Sequence, residues 1–408
     1  MNPDLGPRTK YESYKLITVI ASLAIGSLFM YADRTVLYPM LKVISDEFRL
    51  SGTATGLITS TYFFAYVAMQ VPSGLLGDRL GLKRVMIAFY LLGGTALLIM
   101  GFAAKSYFFL LLMVGLHGIG MGAYYPTSYG INIGTLPRER RGLASAFINS
   151  GMSVGTALGL VISGPIYLAT GSWRFPFLLL AVPTILAPFV FIKYLPEPVN
   201  TRTCGRIKRD QRVDLRRILA DRDLWFLNLA VFCSGYGFWV ALTWGSVFFA
   251  TERSLSLAAA GLFTALPALS AIPAALFVGR LSDSIGRRKL ALILYPLQAA
   301  AIFALAYVRS IPALVAILIF YGVVGRTVSD TVLISWFGDH VFEKNPDALG
   351  AAVGVYNLVG MSSAIGAPMV SGLIKDLSGS LQVAFYIGSL VVFAGMICTA
   401  LATEATRG

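Results

Sequence analysis

Charge is scarce in this chain. Only 13% of its 408 residues are Asp, Glu, Lys or Arg, against 56% hydrophobic residues, too few to clothe a surface that faces water. Histidine occurs twice and cysteine three times; Cys204, Cys233 and Cys398 have neither metal-ligand nor redox spacing. No phosphate-cradling glycine loop is present, and no Ser-His-Asp or Cys-His arrangement with workable spacing. No large extramembrane stretch could house a nucleotide-driven motor. These lacks point away from an enzyme, a metalloprotein, a cofactor-dependent protein or an ATP-driven pump within this chain.

Long apolar runs take the place of charge. About 20 apolar residues suffice to cross a ~30 Å hydrocarbon core, and runs of that kind fall at 16–43, 55–76, 85–103, 107–135, 143–168, 175–195, 224–250, 258–279, 290–308, 311–337, 349–374 and 381–402. The eighth is interrupted by Pro267 and Pro273, which membrane helices tolerate. The first run is too long for the core of a cleavable signal and lacks a small-residue cleavage site after it, so it is expected to stay as helix 1. The fold class that follows is an all-α integral membrane protein of twelve transmembrane helices.

The net charge of +13 is explained by where the charges lie. With the N-terminus inside, cytoplasmic segments hold 24 of the 33 Lys and Arg, and the outer loops hold 7: Lys42, Arg49, Lys105, Arg174, Arg253, Arg309 and Lys375. This positive-inside bias predicts both termini in the cytoplasm, in a multi-pass protein of the cell inner (plasma) membrane. The partner implied by the basic excess is the lipid bilayer and not a nucleic acid. A monomer is the expected state.

One long polar connection, PEPVNTRTCGRIKRDQRVDLRRILADRD, divides the chain into an N-terminal six-helix bundle (1–195), a cytoplasmic linker (196–223) and a C-terminal six-helix bundle (224–408). The halves repeat. GLLGDRLGLKR (74–84) and GRLSDSIGRRK (279–289) place Gly, Leu, Asp and Gly at positions offset by a constant 205 residues. A weaker match sets RGLASAF at Arg141 to Phe147 beside LGAAVGV at Leu349 to Val355. Glycines allow helix ends to approach, the aspartate suits a helix N-terminus, and the basic residues suit an anionic inner leaflet. Two pseudo-symmetric bundles with a site between them are a recurrent transporter design.

Two copies of this loop at one topological location, within a twelve-helix pattern, resemble the signature of the major facilitator superfamily over the whole chain. That resemblance implies the major facilitator fold and assigns Asp78, Arg79, Asp283 and Arg287 to gating, in a loop that stabilises one state of the rocking halves. The second copy has Ser284 where the first has Arg79.

Four charged residues lie inside predicted spans away from their ends: Asp33, Arg34, Arg326 and Asp330. A buried charge in a bilayer costs about 2.5–3.5 kcal/mol on the gentler insertion scale, so it normally faces a polar cavity and a partner. The plain alternative is a pair of salt bridges that only hold helices together, although buried pairs add little net stability. Arg326 and Asp330 are spaced i,i+4 and share a helix face. Asp33 and Arg34 are adjacent, about 100° apart, so one can face a cavity while the other meets a neighbouring helix. The arginine fork suits a carboxylate or phosphate.

The stretch YADRTVL, from Tyr31, resembles the Tyr-x-Asp-Arg element in helix 1 of the anion:cation symporter branch of the superfamily. That resemblance assigns Arg34 to a small organic anion and Asp33 to a coupled proton. Members of the branch commonly carry an arginine and a glutamate in helix 4, where Val114 and Met121 stand here.

Helix 4 supplies His117, able to meet an anion, carry a proton or simply bridge helices; His340 is expected at a solvated inner end. Polar and aromatic residues suited to a cavity are Tyr38, Tyr62, Gln70, Tyr124, Tyr125, Asn149, Tyr236, Trp239, Tyr321, Tyr356 and Asn357, each of which could equally serve packing or the interface belt.

The function expected is secondary active transport of a small organic anion, a carboxylate, by proton symport with alternating access. Substrate would bind at Arg34, Arg326, His117, Tyr38, Tyr124, Asn149, Tyr236, Tyr321, Tyr356 and Asn357, and protons at Asp33 and Asp330. In this scheme each arginine is neutralised by an aspartate until the anion takes over its donors and the released carboxylate picks up a proton. The alternative is a proton-coupled antiporter exporting drugs or lysolipid-like amphiphiles. Its helix-5 glycine-proline motif is out of register here, and Gly151, Gly155 and Gly159 at four-residue spacing fit close helix packing more simply.

Overall fold

The computed structural model describes residues 7–197, 220–344 and 349–403. Every regular element among them is a helix. In chain order they are α1 (Pro7–Thr35), α2 (Leu37–Phe48), α3 (Gly52–Leu80), α4 (Leu82–Ala103), α5 (Tyr107–Gly122), α6 (Tyr124–Thr135), α7 (Arg138–Thr170) and α8 (Arg174–Tyr194). After the linker come α9 (Arg222–Glu252), α10 (Leu257–Ile285), α11 (Arg287–Tyr307), α12 (Ile311–Val324), α13 (Arg326–Lys344), α14 (Leu349–Ser378) and α15 (Leu381–Leu401). Eleven segments are long and apolar enough to cross a membrane. The twelfth expected span is α3, a 29-residue helix whose opening, GTATGLITST, is rich in hydroxyls. Phe108 at 77% exposure, Leu377 at 80% and Phe277 at 70% show an apolar outside, as lipid requires.

Three spans predicted as single helices are broken pairs. Leu16–Phe48 breaks at Val36 into α1 and α2, Tyr107–Thr135 at Ala123 into α5 and α6, and Ile311–Lys344 at Gly325 into α12 and α13. The last break falls near the middle of its span. Non-helical backbone at membrane depth is tolerated only where protein or a polar cavity satisfies it. By contrast α10 runs unbroken through Pro267 and Pro273.

The repeat seen in sequence recurs in the backbone. Gly81 and Gly286, equivalent under the 205-residue offset, start α4 and α11 with φ of 99° and 95°, a region open to glycine and strained for any side chain. Arg49 and Ser254, related by the same offset, are the two non-glycine residues with positive φ among the described residues, at 51° and 54°. Duplicated sequence therefore carries duplicated turn geometry.

The chain divides into two compact units, Met1–Leu37 with Phe64–Arg209, and Tyr38–Phe63 with Asp210–Gly408. In the first, α1 and α7 pack at backbone contact: a Cβ added to Gly151, Gly155 or Gly159 would lie 2.4, 2.1 or 2.3 Å from the carbonyl oxygens of Ala24, Leu28 and Ala32. Small residues at four-residue spacing allow this approach, and Thr35 Oγ1 donates across it to the Thr156 carbonyl at 3.1 Å. Tyr90 and Tyr124 anchor α1 further, through hydroxyls donated to the carbonyls of Gly26 and Leu23. In the second unit, α2 and the first turns of α3 pack with the helices that follow the linker.

Candidate functional site

In the first unit the two charges of the YADR stretch point apart, as their 100° separation requires. Asp33 is 1% exposed and looks toward α8, where Thr184 Oγ1 donates to its Oδ2 at 2.8 Å; its Oδ1 is buried with no hydrogen-bond partner. No ion pair joins Asp33 to Arg34. Arg34, 6% exposed, instead lays its guanidinium over the Tyr31 ring at 4.1 Å, a cation–π contact made by residues three apart on one helix. A second polar line on the same unit runs from Tyr125, ring to ring with Tyr129 at 4.6 Å, to Asn149 Oδ1, which accepts from the Tyr129 hydroxyl at 3.2 Å.

His117 meets a backbone carbonyl of the neighbouring helix. Its Nδ1 lies 3.0 Å from the Gly93 carbonyl oxygen of α4, and the ring is 4% exposed. There α4 and α5 are in backbone contact, since a Cβ on Gly120 would meet the Gly93 nitrogen at 2.4 Å. The Tyr124 hydroxyl likewise donates to a backbone carbonyl, that of Leu23.

In the second unit the break at Gly325 makes Arg326 the first residue of α13, at a helix N-terminus near the middle of the span. The expected i,i+4 pair with Asp330 does not form. The physical reason is the space beside Gly235 and Gly360: a Cβ on Gly235 would be 2.9 Å from Arg326 Nη1, and one on Gly360 would be 3.7 Å from Nη2. The guanidinium occupies that space, 5.7 Å from the ring centroids of both Phe238 and Trp239. Nη1 is buried without a hydrogen-bond partner, and among the described residues Arg326 makes no ion pair. Asp330 accepts instead from the Tyr356 hydroxyl at 2.6 Å. Below it Ser234, Gln298 and Ser329 form a buried hydroxyl-amide cluster at 3.1 Å contacts.

The remaining candidates fall out as follows. Tyr38, Tyr236 and Tyr321 are buried, and Asn357 is exposed on α14. Asp78 and Arg79 are exposed and make no hydrogen bond or ion pair among the described residues. Arg287 is held by Asp339 and by the carbonyl of Ser335, both on α13. The Asp283 side chain lies outside the described residues.

His340 corrects an expectation. It is 2% exposed, with Nε2 at 3.4 Å from Asp221 Oδ2 and 4.0 Å from Asp223 Oδ2, because the C-terminal end of α13 packs on the start of α9. Lys344 supplies the cation there, 2.9 Å from Asp221, while Thr403 occupies both oxygens of Asp223. Asp221 also caps α9 by accepting from the nitrogens of Asp223 and Leu224. Burial alone would raise the Asp221 carboxyl, but Lys344, the Leu224 N–H and His340 hold it below the usual carboxylate range.

Thr184 and Phe238 were not among the residues singled out from sequence, and Tyr31 figured there only as the first residue of the YADRTVL stretch. Thr184 had a signal, as the one Ser or Thr within the apolar α8. Gly235 had none, since nothing in one sequence tells a glycine that admits an arginine from one that admits a backbone.

A protein named "Probable sulfoacetate transporter SauU", from Cupriavidus necator, is 30% identical over 277 residues, a match spanning 63% of each chain; this chain thus spans under two thirds of that relative's length. A hexuronate transporter of Bacillus subtilis is 25% identical over 93% of both chains. A crystal structure of a bacterial homologue of the human lysosomal transporter Spinster superposes with a TM-score of 0.76, covering 96% of this chain and 95% of that one at 18% identity, which speaks for the fold. The sequence profile of the Major Facilitator Superfamily matches residues 23–368, and the chain is a multi-pass membrane protein belonging to that superfamily of transporters.

Proposed function

We propose that this protein transports a small organic anion, a carboxylate or sulfonate, across the cell inner membrane by proton symport with alternating access. Arg326 carries the reading. A guanidinium at a helix N-terminus near the middle of its span, half-buried beside two aromatic rings, with no carboxylate partner among the described residues and an unsatisfied Nη1, favours an incoming anion, because a half-buried cation without a counter-charge is costly and the helix end adds positive potential. The names of the hexuronate and sulfoacetate relatives support the same class of substrate. Arg34 is the second anion-binding residue in this reading, stacked on Tyr31.

Asp33 and Asp330 are the proposed proton carriers. They are held by the hydroxyls of Thr184 and Tyr356, so the earlier scheme of arginines neutralised by aspartates is replaced. The charge of an arriving anion would be offset by a proton on a carboxylate, and the loaded protein would enclose it at lower electrostatic cost. Both termini lie in the cytoplasm in this proposal, and the working unit is the monomer.

The test is uptake of labelled glucuronate and sulfoacetate into proteoliposomes with an internal pH dye. Substrate-dependent acidification is the expected result. Uptake without proton entry removes the coupling, and uptake indifferent to both Arg34→Ala and Arg326→Ala removes the site.

A further inference from the structure

Spacing along the chain gave the cysteines no role, but the fold brings two of the three together. In the second unit, α9 and α15 run antiparallel along one close seam. A Cβ on Gly237 would lie 2.4 Å from Val392 Cγ2 and 3.4 Å from the Gly388 carbonyl oxygen, and one on Gly395 would lie 2.9 Å from the Cβ of Cys233. Just past α15, Thr403 donates its nitrogen and hydroxyl to Asp223 at 2.9 and 2.8 Å, which fixes the register at that end. Cys398 stands three residues after Gly395, on the same face of α15. Its thiol and that of Cys233 hydrogen-bond each other across the seam. Both are free and half-buried. Tyr295 of α11 closes the niche: the same Cβ on Gly395 would meet its Cε1 at 2.5 Å, and its hydroxyl donates to the Ala230 carbonyl of α9 at 2.7 Å.

We propose that Cys233 and Cys398 form a redox modification site, a dithiol that a small soluble disulfide converts into a covalent bridge between α9 and α15. Filling a helix seam asks only for small residues; a thiol facing a thiol adds chemistry that two alanines lack. Cys398 lies in the last turn of α15, where its carbonyl accepts from the capping nitrogen of Ala402 at 3.1 Å, so it is nearer the helix end and reacts first. Its sulfur, giving up a proton, attacks one sulfur of the small disulfide; a mixed disulfide forms and one small thiol leaves with that proton. The Cys233 sulfur then attacks the Cys398 sulfur, forming the bridge and expelling the second small thiol with the Cys233 proton. The protein loses two electrons and the small disulfide gains them. Contacts on both sides of the pair already hold the helices, so closing the bond takes side-chain rotation and no change of packing. The state of the pair then follows the ratio of small disulfide to small thiol around it. The inference is independent of the transport reading.

The test uses the full chain with Cys204→Ser, which leaves only these two cysteines. Membranes are exposed to glutathione disulfide, remaining thiols are alkylated in denaturant, and the intact mass is read. The expected product carries neither glutathione nor an alkyl group, yields the two cysteine peptides joined on digestion, and regains both thiols with a reductant. Cys233→Ser in the same background should stop with one glutathione on Cys398. The bridged chain should melt above the reduced one, because a cross-link restricts the unfolded chain. Glutathione kept by the two-cysteine chain, two thiols still open to alkylation, or an unmodified Cys398 in Cys233→Ser would overturn the site. A bridged chain melting at or below the reduced one would overturn it too, since that bond would be one the native packing resists.

Discussion

Replacing Arg326 separates a binding role from a structural one, because the two predict opposite signs of stability. The guanidinium lies 5.7 Å from two ring centroids, with Nη1 buried and unpartnered. An anion seated about 4 Å from it gains about 4 kcal/mol at an effective dielectric near 20, and a hydrogen bond to a charged group is worth about 1.5–3 kcal/mol net. Arg326→Gln should therefore weaken anion binding by about 2–4 kcal/mol, or about 30-fold to 1000-fold in Kd. Arg326→Lys keeps the charge and loses the planar fork, so its loss should be smaller, about tenfold. Stability should move the other way. Removing a half-buried charge that has no carboxylate partner among the described residues relieves part of a desolvation cost, so Arg326→Gln without ligand should melt at the same temperature as the parent or higher. Proteoliposome uptake gives the KM, and intrinsic fluorescence on heating gives the melting point. A variant that melts several degrees lower while keeping its KM would refute the reasoning and make Arg326 a structural residue.

Four further outcomes follow from single contacts. Thr184→Val keeps volume but strips Asp33 of its one hydrogen-bond donor among the described residues, which should cost about 1–3 kcal/mol and alter the pH profile of uptake; an unchanged profile would remove Asp33 from coupling. Tyr356→Phe leaves Asp330 without its 2.6 Å hydroxyl, and should shift the pH profile while leaving binding at Arg34 intact, as read by substrate-induced thermal shift in Arg326→Gln. Gly155→Leu drives a side chain into the Leu28 carbonyl 2.1 Å away; backbone cannot yield as a side chain can, so the cost should exceed the roughly 1–3 kcal/mol of ordinary overpacking and monodisperse protein should be lost on gel filtration. Asp221, with its carboxyl held low in the folded chain, contributes stability that is complete above its unfolded pKa of about 3.9 and fades as pH falls through the lower folded value; Asp221→Ala should cost about 0.5–2 kcal/mol at neutral pH through the lost cap and flatten the acid limb of the melting curve.

Much of the architecture was legible before any coordinates. Apolar runs of bilayer length set the spans, since lipid admits backbone only in self-satisfied helices, and the repeated G-x-x-x-D-x-x-G loop marked both the duplication and the turns at Gly81 and Gly286. The glycine ladder of α7 was likewise readable as a packing face. The breaks at Val36, Ala123 and Gly325 were not, because hydropathy sums over a window and is blind to a single residue leaving the helix.

The residues of interest divide the same way. By itself the sequence determined which charges enter the membrane, and that Asp33 and Arg34 must diverge, because composition and helical angle are local properties. Only the tertiary structure decided who partners whom. Asp33 went to Thr184 and Asp330 to Tyr356, His117 to a carbonyl, and His340 into a buried acidic niche, while Arg326 filled the space beside Gly235 and Gly360. Those choices depend on which helices come within about 3 Å of one another, and distance between segments far apart in the chain is written in no local stretch of it.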